Sequence, residues 1–254
     1  LVAVPDLGNT TILAAIADPV GDDHGPGAYT YPSDVVFNAG NFDIIAFEIG
    51  EDADNIVFRF YLNGPVDNPW DAPNGLSLQT LDIYIDSALD AGASALLPGR
   101  NLALEAPYAW DFAIHVEGWF PGIYVPAENG VEQVATASEF QILTDPGQRK
   151  VTIRVPKSIL GDNPGDWAYA ALALSQEGFP SAGVMRVRDV LPIGEQWRVG
   201  GAPAGASNHT RALDIVWPEA GLQEAWLAAF DALTAPQSEL SAADFATISM
   251  FMIQ

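Results

Sequence analysis

The chain has 254 residues with 10 Lys and Arg against 33 Asp and Glu, and its formal net charge of −23 at pH 7 repels phosphate backbones and anionic lipid headgroups. Nucleic acid and membrane surfaces are therefore poor partners, whereas 49% hydrophobic residues supply a real core and set aside a disordered chain. Cysteine is absent, which removes a disulfide framework, a thiol nucleophile and a zinc-thiolate site but leaves the compartment open.

No apolar run approaches the roughly 20 residues of a membrane span. The opening LVAVPDLGNTTILAAIADP lacks an initiator Met and a basic signal region, so the chain reads as a mature or excised piece of something longer. Residues 10–17, TTILAAIA, read as an edge strand of the domain, with addition to a neighbour's open sheet edge as the alternative. The triplets starting at Asn9 and Asn208 are glycosylation sequons and fit an exported surface protein.

Residues 18–32, DPVGDDHGPGAYTYP, crowd Asp18, Asp22, Asp23 and His24 among glycines and prolines that suit neither helix nor strand interior. Hard carboxylate oxygens beside carbonyls freed by turns have the composition of a calcium site. The spacing is not that of an EF-hand, so distant residues must complete the ligand set, and Asp43 at the start of the next strand is the best candidate. The competing reading is a solvated loop of Asx-turns. His24 reads as a loop residue, His115 as a satisfied sheet residue and His209 as part of a polar loop.

Short runs of alternating apolar character then follow at 42–49, 55–64, 78–86, 111–119, 137–145, 150–157, 167–175 and 212–218, bounded by Gly, Pro, Asn and Asp. This pattern predicts an all-β protein, an antiparallel β-sandwich of jelly-roll or immunoglobulin-like type. Apolar residues at helical spacing in 224–233 and 241–252, with Ser241 and Asp244 resembling a helix start, predict a short C-terminal helical tail. The division is an N-terminal arm or edge strand over 1–17, the sandwich over 18–218 and the tail over 219–254.

There is no P-loop, GxSxG, HExxH or GxGxxG signature. Paired carboxylates for glycoside hydrolysis, among them Glu48, Glu105, Glu117 and Glu195, carry little weight in so acidic a chain. Planar rings stack on sugar faces, and neutral glycans are indifferent to the negative charge. Trp70, in the loop NGPVDNPWDAPNG, and Trp110, at a strand end, are the carbohydrate-binding candidates, whereas Trp119 and Trp217 read as core.

DPVGDDHGPGAYTYP, VFNAGNFDIIAFEI, NPWDAPNGLSLQTLDIYID, LPGRN, WDFAIHVEGW, VPK, SQEG, EQWRVGGA and ALDIVWP, in this order, resemble the C-terminal module of glucodextranase, also found in pullulanases and prokaryotic surface proteins. The resemblance runs from Asp18 to Pro218 and implies a non-catalytic β-sandwich, similar to carbohydrate-binding and DOMON-like modules, that binds glycan or anchors to the cell envelope. It places Asp18, Asp22, Asp23 and Asp43 in the family's acidic loop and transfers no sugar site.

The expectation is an extracellular or cell-surface, calcium-stabilised module, not an enzyme, whose partner is a polysaccharide or cell-envelope glycan. Two rivals stand beside it: a self-associating structural subunit of a surface layer or filament, and a glycoside hydrolase. Adaptation to high salt is a third reading of the acidity.

Overall fold

The computed structural model describes residues 10–87 and 92–253. In chain order its strands are β1 (Thr11–Ala17), β2 (Ile44–Glu51), β3 (Asn55–Leu62), β4 (Gln79–Asp86), β5 (Leu102–Leu104), β6 (Phe112–Val116), β7 (Gly122–Ala127) and β8 (Gly130–Thr136). They continue as β9 (Gln141–Asp145), β10 (Lys150–Pro156), β11 (Ala168–Ser175), β12 (Val190–Leu191), β13 (Val199–Gly200), β14 (Ala212–Ile215), β15 (Ala246–Ile248) and β16 (Phe251–Met252). The two short helices are α1 (Lys157–Leu160) and α2 (Leu222–Leu227).

Two antiparallel sheets form the sandwich, one ordered β1-β2-β3-β10-β9 and the other β14-β11-β4-β6-β7-β8, with β16 also pairing with β11. The period-2 alternation of a strand explains how β4 and β11 become buried on both faces. Leu81, Ile83 and Ile85 with Tyr169, Ala171 and Ala173 meet Phe47, Phe58, Phe60 and Ile153 between the sheets. Tyr84, Leu172 and Leu174 face the opposite way and pack with Leu97, Leu102, Trp110, Leu227 and Ile248, so a third layer covers the second sheet. Segment 10–17 is an edge strand of the domain itself, since β1 pairs with β2.

The observed strands follow the apolar alternation closely, apart from 137–145, where only β9 is extended and 137–140 form a turn. The β7–β8 hairpin carries no such signal, because β8 is exposed on both faces over most of its length and Pro126 interrupts β7.

The tail departs from expectation. Only α2 is α-helical within it, and 241–252 is not a helix: a 3-10 turn at Ala242–Asp244 leads into β15, which pairs with β5, and β16, which pairs with β11. Backbone hydrogen bonds offered by β5 and the free stretch of β11 override a helical spacing that already contains β-branched Thr247 and Ile248. The tail is thereby part of the third layer. Asn208 helps hold it: its buried side chain donates to the carbonyls of Asp231 and Asp244, so this sequon is a core polar residue and not a glycan acceptor. The Asn9 sequon lies outside the described residues.

Among the described residues, no helix is long and apolar enough to cross a membrane. A buried ion cluster ties β4, β6 and the 97–101 turn together. Asp82 accepts from Arg100 Nε at 2.7 Å and from Tyr84 Oη at 3.1 Å, and its Oδ1 lies 2.9 Å from His115 Nδ1. All of these side chains are buried, and Asp82 stands directly across from His115 in the β4–β6 register.

Candidate functional sites

The 18–30 loop leaves β1 and folds back on β14. Gly25 at φ +55° donates its N–H to the Leu213 carbonyl at 2.8 Å, and a Cβ there would fall 2.4 Å from Tyr29 Cδ2, so glycine is required. Gly21, at φ +85°, donates its N–H to Asp43 Oδ2 at 2.9 Å. These turns bring Asp18 and Asp22 beside Asp214 of β14, with ligand oxygens of the three carboxylates all within 4.8 Å of one another.

Three of the surrounding aspartates are clamped in the same way. Asp18 Oδ1 accepts from the Trp217 amide at 2.7 Å, Asp214 Oδ2 from the Ile44 amide at 2.6 Å, and Asp43 Oδ2 from Gly21 N and from Asn63 Nδ2 at 2.8 Å. Each of the three keeps its second oxygen buried without a hydrogen-bond partner, as Asp22 does its Oδ1. Among the described residues no Lys or Arg pairs with any of the four. Burial, then the neighbouring Asp22 and Asp43, push the Asp18 carboxyl up to about 8. Burial and the nearby Asp43, Asp23 and Glu224 raise Asp22 to about 6, and Asp214 is raised well above the usual carboxylate range by burial and by Asp18 and Asp22. Buried carboxylate oxygens that lack donors and crowd like charges fit a hard divalent cation.

Of the four aspartates named from the sequence, Asp18 and Asp22 are in this trio and Asp43 borders it. Asp23 is not in the trio: its Oδ2 accepts the Tyr31 hydroxyl proton and its Oδ1 lies 3.9 Å from His24 Nε2. His24 Nδ1 is 2.9 Å from the Tyr29 carbonyl and helps shape the loop. Asp214 escaped the sequence reading, although a carboxylate inside the apolar run ALDIV was a signal, since an unpaired charge in a core strand demands a partner.

A second site lies beyond the ends of β6 and β11. A cleft of about 620 Å³ is lined by Trp70, Trp119, Phe120, Phe179 and Trp197, together with Glu177, Arg186, Arg188 and Arg198. Trp70 is 41% exposed and its ring centroid lies 6.1 Å from that of Trp197, which is 38% exposed; Phe120 and Phe179 project into solvent. The loops are held by two glutamates. Glu117, fully buried, accepts from the amides of Trp119 and Phe120 at 3.0 and 2.6 Å and from Arg186 Nε at 2.9 Å. Glu177 Oε2 accepts from Arg188 Nη1 at 3.1 Å and Arg198 Nη1 at 2.8 Å, while its Oε1 accepts from the Phe179 amide at 3.0 Å.

Trp110 has no place in this cleft. Its ring is fully buried against Tyr84, and its Nε1 donates to the Ala95 carbonyl at 2.7 Å, so neither face is offered to a ligand. Trp119, read as core, is half-buried at the cleft wall. Of the glutamates considered for hydrolysis, Glu48 pairs with Arg59 on the first sheet, Glu117 holds the cleft loops, Glu105 is exposed elsewhere, and Glu195 is exposed on the turn that carries Trp197 and Arg198, outside the cleft lining.

A family model for the C-terminal, SLH-like binding module of glucodextranase matches residues 13–241. Among curated proteins, none matches the chain.

Proposed function

The chain belongs to the family of C-terminal, SLH-like binding modules of glucodextranase, and from that premise we propose that it is a non-catalytic domain that binds carbohydrate at the cell surface. The observation that carries this reading is the cleft in which Trp70, Trp119, Phe120, Phe179 and Trp197 converge. Solvent-facing indoles and phenyl rings grouped around a concavity are costly to leave uncovered and match the apolar faces of pyranose rings. Glu117 and Glu177 are engaged in shaping the loops, which favours a binding cleft over a hydrolytic one.

Calcium is the second part of the proposal. Asp18, Asp22 and Asp214 would hold it, with Asp43 alongside, and the ion would offset a cluster of carboxylates that no Lys or Arg among the described residues pairs with. Because the ligands come from the 18–30 loop and from β14, a cation favours the folded chain alone and stabilises it by mass action.

The test is titration calorimetry of the intact protein with calcium against neutral and acidic oligosaccharides, beside Trp70→Ala. Glycan binding by a monomer, weakened about tenfold by the substitution, supports the reading. Absence of any binding by the folded, calcium-loaded protein overturns it, and growth in particle size on adding calcium would favour a surface-layer subunit.

A further inference from the structure

We propose that the aromatic cleft selects glycans bearing a carboxylate, with a uronic acid residue seated against Arg198; this rests on the glycan-binding reading above. The chain has only 10 Lys and Arg residues, and three of them line this one cleft. They do not all serve the same purpose.

Arg188 is a structural pin. Its Nε donates to Ser175 Oγ at 3.1 Å, its Nη2 to the Gln176 carbonyl at 2.7 Å and its Nη1 to the Trp197 carbonyl at 2.6 Å, and the side chain is almost fully buried. Arg186 is matched to Glu117 and lies over the Phe120 ring, 4.7 Å from its centroid. Arg198 differs from both: its Nη1 donates to Glu177 Oε2 and to the Trp197 carbonyl, and among the described residues its Nε and Nη2 take no hydrogen bond.

The charges do not balance either. Among the side chains of the cleft and its loops that form ion pairs, three guanidiniums face the carboxylates of Glu117 and Glu177, and Glu177 already answers Arg188, which leaves one positive charge in excess within this set. That excess sits on the most exposed of the three side chains, 31% accessible, in the cleft that Trp197 also lines. A planar fork with two spare donor nitrogens in a cleft lined by indoles can bind a sugar carboxylate through paired N–H···O bonds while a ring carries the pyranose face. The global field of a chain at −23 opposes a polyanion, so the attraction must be local, which makes it sensitive to this single residue.

The experiment compares a uronic acid oligosaccharide with its carboxyl-reduced, neutral counterpart on the calcium-loaded protein, by calorimetry, for the wild type, Arg198→Gln and Arg198→Lys. We expect the acidic ligand to bind about tenfold or more tightly, Arg198→Gln to bring the two ligands to the same affinity, and Arg198→Lys to restore part of the preference. Thermal midpoints of the variants report whether the fold is intact, and Trp70→Ala should weaken both ligands alike. Equal affinity of the wild type for the two ligands, or a preference that survives Arg198→Gln, overturns this proposal and leaves the glycan reading standing. Failure of every glycan to bind overturns both.

Discussion

Phe37 and Trp197 meet edge to face with ring centroids 6.1 Å apart, and this contact joins the acidic loop to the aromatic cleft. From Trp197 the rings continue to Trp70, and from Phe37 they run to Phe42 at 6.4 Å and Tyr31 at 5.0 Å from Phe42. Tyr31 donates its hydroxyl proton to Asp23 and accepts the Phe42 amide at 3.1 Å, next to Asp43. The cation proposed for Asp18, Asp22 and Asp214 would order the loop that carries Asp23, and through the Asp23–Tyr31 hydrogen bond the first ring of this series. Removing calcium should therefore weaken glycan binding by about fivefold or more, with a shift in tryptophan emission, and Phe37→Ala should uncouple the two. Equal glycan affinity with calcium and with chelator would refute the connection.

Asp214→Asn should separate the two roles of its carboxylate. The amide oxygen can still accept from Ile44, so the backbone contact survives. The variant removes a carboxyl that the metal-free folded chain must keep protonated beside Asp18 and Asp22, and in chelator near neutral pH it should be about 1–3 kcal/mol more stable than the wild type. With calcium the order should reverse, because at a thousandfold excess over Kd a wild-type site gains about 4.1 kcal/mol and the variant gains little. Denaturant melts with and without the ion would show the crossover, and a variant that gains as much from calcium as the wild type would exclude Asp214 as a ligand.

The sandwich and two of the three carboxylates of the acidic trio were legible because they are written locally. Alternation in runs such as LQTLDIYID reports directly on a strand, and Asp18 and Asp22 stand in one glycine-rich loop. Asp214 and Arg198 were not, because their meaning comes from the fold: β14 carries Asp214 to a loop almost two hundred residues away in sequence. The tail misled for the same reason. Its helical spacing is real, yet β5 and β11 offer 246–252 ladder partners that no local pattern announces. Trp110 reads from the sequence as a strand-end indole, and the third layer closes over it.

Stability without metal should fall as pH rises. Burial and neighbouring carboxylates push Asp18 up to about 8 and Asp22 up to about 6, above the ordinary 3.8 of a free carboxyl, so the folded state holds protons that the unfolded state has released. Their contribution is complete below about pH 4 and is lost progressively toward pH 8. Calcium, which requires the ionised carboxylates, should flatten or invert this slope. Thermal midpoints of metal-free protein between pH 5 and 8.5 test it, and a midpoint that rises with pH in the absence of metal would contradict it.

Arg100→Met should be among the most damaging single changes. Burial opposes ionisation of Asp82, but Arg100 and His115 hold its carboxyl well below the usual range. Without the guanidinium, Asp82 is left charged or protonated in a layer lined by Tyr84, Leu97 and Trp110, at a cost of about 3–5 kcal/mol. The same residue makes the wild type acid-sensitive: the stability it contributes is present above the unfolded pKa near 4 and drains away as pH falls toward the depressed folded value. Replacing Asp82 by Leu in the Arg100→Met background should recover much of the loss, since a matched apolar pair carries no buried charge. Chemical denaturation of the two variants decides the matter, and a loss under 1 kcal/mol for Arg100→Met would show that the third layer admits enough water to solvate Asp82.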